Sequence, residues 1–81
     1  MLRDRLLFIA DTTLWSHLAS HLINESFKNP KIIFWDHGTP NRPDISKWKG
    51  DWIICFKSDL IIPHETLLNT KNAAINFHPA P

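Results

Sequence analysis

Four runs of consecutive apolar residues dominate the hydropathy pattern of the chain. They are LLFIA at 6–10, KIIFW at 31–35, DWIICF at 51–56 and AAINF at 73–77. Each run is apolar at successive positions rather than at alternate ones, which is typical of strands buried on both faces of a parallel sheet. We therefore predict four strands in a sheet that is covered by helices.

The segments between these runs predict two helices and one loop. Asp11 or Thr12 can cap a first helix, and Pro30 disfavours helix in the residue before it, so we expect an end near Lys28. The segment 36–50 contains glycine and prolines and is predicted to be a loop. A second, short helix is expected to start at Pro63. Apolar residues recur at helical spacing along the first helix: Leu14, Trp15, Leu18, Ala19 and Leu22.

The resulting order, β-α-β-loop-β-α-β, predicts the α/β class with a doubly wound, mostly parallel open sheet in one domain over residues 1–81. Two helices are too few to cover both faces of four parallel strands, and no further apolar run supplies another layer. We therefore expect residues 1–81 to be the N-terminal part of a larger domain, completed by a downstream portion or a second chain. An uncovered sheet edge would also invite self-association.

Composition and charge narrow the class of protein. Hydrophobic residues make up 43% of the chain and charged residues 21%, which is an ordinary globular composition. The net charge is +1, and the basic residues are scattered along the sequence, which favours neither a nucleic-acid nor a membrane surface. The first apolar run is too short to span a membrane. A lone cysteine, Cys55, lies within an apolar run and favours a reducing, cytoplasmic setting.

The C-terminal sequence AAINFHPAP places polar residues at the end of a predicted strand. On an extended strand Asn76 and His78 project to one side, and Ile75 and Phe77 project to the other. Pro79 favours an extended His78. Parallel α/β sheets bind ligands beyond the carboxyl ends of their strands, and an amide beside an imidazole suits acyl transfer. The alternative is that both polar side chains only satisfy backbone groups, as is common at strand ends.

Residues 51–81 resemble the folate-dependent formyltransferases. This family includes methionyl-tRNA formyltransferase, glycinamide ribonucleotide formyltransferase and the sugar N-formyltransferases. The resemblance rests on Asp51 before the apolar run WIICF, on the loop LIIP at 60–63, and on INFHP at 75–79, which matches the family's Asn-x-His-Pro. The ending HPAP looks closer to members that act on amino sugars. Residues 1–50 resemble the family only in their architecture.

The resemblance implies a Rossmann-like fold and a reaction in which 10-formyltetrahydrofolate donates its formyl group to a primary amine. His78 would accept the proton lost by the amine. Asn76 would bind the formyl oxygen as it becomes an oxyanion, a contact worth about 3 kcal/mol of barrier. The loop Leu60, Ile61 and Ile62 would present backbone groups and apolar walls to the pterin ring. The alternative for this loop is a plain hydrophobic turn between a strand and a helix.

The resemblance also suggests the acceptor, with an amino sugar nucleotide slightly favoured over methionyl-tRNA or glycinamide ribonucleotide. In that family the catalytic aspartate lies well downstream of the histidine, beyond residue 81. We therefore expect residues 1–81 alone to have negligible formyltransferase activity. An alternative from another class is a non-catalytic, truncated α/β module that binds a partner.

Other polar residues give weaker hypotheses. His17 and His21 stand four apart, but no zinc-protease glutamate follows either, so we interpret them as a solvated pair and predict no metal site. Asp36 ends the second apolar run and could contact a ligand hydroxyl. No glycine follows the first run, which excludes a G-x-G-x-x-G nicotinamide or flavin site. Trp48 lies in a polar segment and is predicted to be exposed to a partner.

Overall fold

The computed structural model describes residues 1–77, which form a sheet of four parallel strands with two helices. The α/β class and the parallel sheet are thereby confirmed. Each strand coincides closely with one apolar run, although the last strand starts before AAINF. In chain order the elements are β1 (Leu6–Ala10), α1 (Leu14–Ser26), β2 (Lys31–Phe34), β3 (Gly50–Phe56), α2 (His64–Leu68) and β4 (Thr70–Phe77).

The strands lie in the order β2-β1-β3-β4, so β2 pairs with one side of β1 and β3 pairs with its other side. Ala10 at the end of β1 is level with Phe34 of β2 and with Phe56 of β3. All four strands therefore end at one edge of the sheet, which we call the carboxyl edge, and begin at the opposite amino edge. The carboxyl edge between β1 and β3 is where the strand order reverses, the usual place for a ligand in such sheets.

The core lies on both faces of β1, whose residues are all buried. Leu7 and Ile9 point to one face, where they pack in a cluster with Ile45 and Leu60 from the connecting segments. Residues at alternate positions, such as Phe8, point to the other face, where α1 covers them. This two-sided burial explains why the first strand is apolar at every position.

α1 packs on the sheet through a different face from the one that its large apolar residues predict. Ser16 and Ser20 are buried, and Ala19 and Ile23 pack in the cluster around Phe8. These residues also recur at helical spacing, and their mostly small side chains let the helix approach the sheet closely. Of the five apolar residues in the predicted stripe, Ala19 is the one that is partly buried against this cluster. The other four are exposed: Leu14 at 71%, Trp15 at 68%, Leu18 at 48% and Leu22 at 67%.

Trp48 contradicts its predicted exposure. Its side chain is only 9% exposed and belongs to the core cluster on the face opposite α1. The indole packs directly over Gly50, and a Cβ atom at that glycine would collide with the ring. A polar sequence around a tryptophan therefore does not indicate an exposed indole here, because the loop folds back over the first residues of β3.

β4 is the least covered strand, as expected for a sheet with few helices. It lies at an edge of the sheet, and its side chains Ile75 and Phe77 are 38% and 50% exposed on the face that α1 covers elsewhere. Within residues 1–77, neither helix has both the length and the apolar character that a transmembrane span requires.

Candidate functional site

The end of β4 places Asn76 at the carboxyl edge. Asn76 is the register partner of Cys55, so it lies on the face of the sheet that Cys55 occupies. Ile75 and Phe77 lie on the opposite face, which confirms the predicted division of sides for these residues. His78, the second member of the predicted pair, lies outside the described residues.

The backbone after β3 holds the end of β4 in place. The N–H of Lys57 donates to the carbonyl oxygen of Phe77 at 3.0 Å. Lys57 adopts a left-handed conformation with φ of 53°, which costs a residue other than glycine about 1–2 kcal/mol. Such a conformation persists where the surroundings impose it. The chain therefore turns sharply at Lys57, and the loop that follows has a defined position beside β4.

The loop after Lys57 contains the predicted folate contacts. Ser58 is buried, and its hydroxyl oxygen accepts a hydrogen bond from the N–H of Leu60 at 3.1 Å. Leu60 is 6% exposed and packs in the core, whereas Ile61 is 74% exposed. Ile62 is partly buried and packs against the same core cluster as Leu60. The loop thus turns two apolar side chains inward and one outward.

Leu60, Ile62 and Asn76 meet in one cleft at the carboxyl edge, which we call the loop groove. Its volume is about 270 Å³, slightly less than the 300 Å³ or so at which small-molecule sites begin. The groove is therefore large enough for a flat ring but not for a whole folate. The side chain of Ile61 is not part of its lining. The lining residues are Cys55, Ser58, Leu60, Ile62, Leu67, Ala74 and Asn76, together with Ile75, which borders the groove between Ala74 and Asn76 although strand alternation puts its side chain on the other face.

Ala74 and Ser58 are among the lining residues that were not named as candidates from the sequence. Ala74 lies two positions before Asn76, so strand periodicity alone places it on the same face, and its small side chain leaves room for the groove. Ser58 gives no such signal, because a polar loop residue is expected to be exposed. It is buried here because its hydroxyl is satisfied by the N–H of Leu60.

Cys55 lines the groove with a neutral thiol and does not provide a nucleophile. The thiol is buried, and burial raises its pKa above the ordinary value of 9.0. The thiolate is the reactive form of cysteine, and it is disfavoured in such an environment. The groove therefore combines apolar surface, a neutral thiol and one amide side chain.

A second polar cluster lies at the carboxyl edge after β1, where Asp11 binds the first turn of α1. One of its oxygens accepts hydrogen bonds from the Thr13 N–H at 3.1 Å, the Thr13 hydroxyl at 2.6 Å and the Ser16 hydroxyl at 2.5 Å. Burial raises the pKa of Asp11, but the hydrogen bonds from Ser16 and Thr13 and the charge of Lys57 outweigh it, so that pKa lies below its ordinary value. Asp11 is therefore ionised at neutral pH and stabilises the start of the helix.

Asp36 follows β2 at the same edge and also binds the turn after β1. Its Oδ1 accepts a hydrogen bond from the N–H of Thr12 at 3.1 Å, and its Oδ2 accepts one from the Thr12 hydroxyl. Both carboxylate oxygens are thus engaged with the protein. The contact to a ligand hydroxyl, hypothesised from the position of Asp36, would have to compete with these hydrogen bonds.

The histidines within the described residues do not converge on the loop groove. His17 stacks on Phe34 with ring centroids 4.3 Å apart, and His21 is exposed on α1. His64 is exposed in the first turn of α2. Across residues 1–77, no three histidine, cysteine or acidic side chains gather closely enough to hold a metal ion.

Comparison of the chain with protein-family models, with curated proteins and with solved structures finds no match in any of the three. The sequence features of residues 51–81 and the geometry of the loop groove are therefore the observations from which a function can be inferred.

Proposed function

We propose that this chain supplies the formyl-oxygen contact and the folate-ring contact of an N-formyltransferase, which transfers a formyl group from 10-formyltetrahydrofolate to a primary amine. One observation supports this most strongly. Asn76 lines the same groove as the apolar loop residues Leu60 and Ile62, at the edge where parallel α/β sheets bind ligands. The proposal includes a Rossmann-like formyltransferase fold for the sheet.

The pterin ring is the part of the donor that fits the loop groove. Flat heterocycles bind between apolar walls with a few polar anchors, and the side chains of Leu60 and Ile62 provide such walls. Ile61 does not line the groove and its side chain is 74% exposed, so in this proposal any contact of Ile61 with the ring is made by its backbone groups. The remainder of the folate extends out of the groove, because about 270 Å³ accommodates only the ring.

In the proposed reaction, Asn76 stabilises the negative charge that develops on the formyl oxygen. When the amine nitrogen attacks the formyl carbon, the carbonyl oxygen becomes an oxyanion, to which the side-chain N–H of Asn76 donates a hydrogen bond. The new C–N bond forms, the bond between the formyl carbon and the folate N10 breaks, and N10 gains a proton. The amine loses a proton, which the imidazole of His78 accepts in this proposal. This role rests on the sequence prediction that His78 projects to the same side as Asn76.

The proposal also specifies the amine that accepts the formyl group and the cellular compartment of the reaction. An amino sugar nucleotide is favoured over methionyl-tRNA and glycinamide ribonucleotide by the sequence HPAP after Phe77. The proposal requires another segment or a second chain to supply the catalytic aspartate. The free, buried thiol of Cys55 supports a reducing compartment such as the cytoplasm.

Binding of a reduced folate tests the proposal without requiring turnover. We expect isothermal titration calorimetry to detect binding of 5-formyltetrahydrofolate, a stable reduced folate. Ile62→Ser removes an apolar wall of the groove and should weaken binding about tenfold, the equivalent of roughly 1.4 kcal/mol of lost contact.

The matched control is Ile61→Ser, which makes the same chemical change at the neighbouring exposed position. It should alter the dissociation constant by less than about twofold. No binding to the unmodified chain, or equal weakening by the two substitutions, would contradict the assignment of the loop groove to folate.

A further inference from the structure

A row of basic side chains follows the amino edge of the sheet, opposite the loop groove. Every strand has a lysine or arginine within one position of its first residue: Lys31 in β2, Arg5 before β1, Lys49 before β3 and Lys71 in β4. Since the strands are parallel and lie in the order β2-β1-β3-β4, these four cations follow one another along the edge. Neighbouring strands lie about 4.8 Å apart, so the row extends over roughly 14 Å.

The same cations line two adjoining clefts, which we call together the amino-edge groove. The first has a volume of about 490 Å³ and is lined by Arg5, Lys31, Lys47 and Lys49, among others. The second has about 280 Å³ and is lined by Arg5, Lys49 and Lys71, among others. The groove thus gathers five of the chain's nine lysines and arginines, although the net charge of the whole chain is only +1.

The carboxylates of the groove are hydrogen-bonded to backbone N–H groups, and the pKa of Asp44 is lowered by hydrogen bonds from Ser46 and, to a smaller extent, by the charge of Lys47. Asp44 accepts a hydrogen bond from the Ser46 N–H at 2.9 Å, and Asp51 accepts one from the Arg5 N–H at 2.7 Å. Within residues 1–77, no ion pair joins the cations of the groove to a carboxylate. The clustered positive charges therefore repel one another, and a bound anion would relieve that repulsion.

We propose that the amino-edge groove binds an oligophosphate, a chain of two or more linked phosphate groups that is either inorganic or the tail of a nucleotide. A row of cations at strand spacing matches a linear polyanion better than a single ion. Lysine binds phosphate as a mobile point charge, and Asn29 adds an amide donor to the lining.

Single-stranded nucleic acid is a poorer match for the same charges. Proteins that bind it combine cations with exposed aromatic rings on which bases stack. The aromatic side chain in the lining, Trp48, is only 9% exposed and packs over Gly50. The groove therefore offers charge to the phosphates but no stacking surface to a base.

Calorimetric titration with inorganic tripolyphosphate tests this site. We expect binding that is tighter than that of inorganic phosphate and that weakens between about 50 mM and about 200 mM salt. Lys31→Gln and Lys49→Gln should each weaken it about fivefold. The control Lys57→Gln removes a cation at the opposite edge of the sheet and should change it by less than about twofold.

Titrations with other ligands show whether the bound phosphates belong to a nucleotide or to an inorganic chain. Tighter binding of ATP than of tripolyphosphate supports the proposal with a nucleotide tail as ligand, and the reverse order supports it with an inorganic chain. Absence of tripolyphosphate binding overturns the proposal, as does equal weakening by Lys57→Gln. Binding of a single-stranded RNA oligonucleotide that depends on Lys31 and Lys49, without tripolyphosphate binding, overturns it in favour of nucleic acid.

Discussion

Asn76 is the residue on which the proposed chemistry depends. Its position follows from two simple causes: the alternation of side chains along an extended strand, and the parallel pairing of β4 with β3 opposite Cys55. The alternation was predicted from the sequence, because AAINF is an apolar run interrupted by a polar residue, whereas the pairing with β3 opposite Cys55 is known only from the structure. The same alternation predicts the side on which His78 lies.

Asp11 is the residue whose carboxylate binds the first turn of α1. We predict that Asp11→Asn lowers the free energy of unfolding at pH 7 by about 1 kcal/mol, because a charged acceptor of three hydrogen bonds is replaced by a neutral one. The pKa of Asp11 is lowered in the folded state, so its contribution is complete above the ordinary value of 3.8 and is lost as the pH falls through the folded-state pKa. Urea unfolding at pH 7 and near pH 3 measures both effects.

The control for this prediction is Asp59→Asn, which neutralises an exposed carboxylate in the loop after β3. It should change the free energy of unfolding by less than about 0.5 kcal/mol at either pH. If Asp11→Asn destabilised the protein equally near pH 3 and at pH 7, the charge of Asp11 would not be the cause.

At the scale of elements, the strands were predictable and the packing of α1 was not. A strand that is buried on both faces must be apolar at successive positions, so its sequence identifies it directly. α1 has two stripes at helical spacing, one of large apolar residues and one that is small except for Ile23. The second stripe is the one that packs on the sheet. The sequence does not predict which stripe is buried, because burial depends on how closely the helix can approach the sheet.

Two adjacent residues of α1 test which stripe packs on the sheet. Ile23→Ala should lower the free energy of unfolding by about 1–2 kcal/mol, since Ile23 is partly buried against the sheet. Leu22→Ala should change it by less than about 0.5 kcal/mol, since Leu22 is 67% exposed. Denaturant unfolding of both variants measures the difference. A larger loss for Leu22→Ala would show that the predicted apolar stripe is the buried one.

The connection between β2 and β3 shows a second limit of the sequence pattern. Its prolines and polar residues correctly predict a loop, but its burial of Ile45 and Trp48 has no periodic signal. The hydroxyl of the buried Thr66 in α2 donates to the carbonyl oxygen of Ile45 at 3.0 Å and holds this loop against the short helix. Such a contact joins residues 21 positions apart, so a local sequence pattern does not predict it.

At the scale of the whole molecule, the two edges of the sheet differ in character. The carboxyl edge offers an apolar groove with Asn76, and the amino edge offers a row of cations. The cations are scattered in the sequence between Arg5 and Lys71, which is why the linear charge pattern indicates no anion site. Parallel strands bring their first residues to one edge. A basic residue at the start of each apolar run, or within two positions before it, is therefore the signal that predicts the row.

The measurement that tests the central claim most directly is a titration of the ¹⁵N-labelled chain with 5-formyltetrahydrofolate, followed by NMR. If the loop groove binds the folate ring, the side-chain amide of Asn76 and the backbone amides of Ile61 and Ile62 shift, while the backbone amides of Lys31 and Lys49 do not. Shifts confined to the amino edge, or an unperturbed Asn76 at saturating folate, would contradict the account.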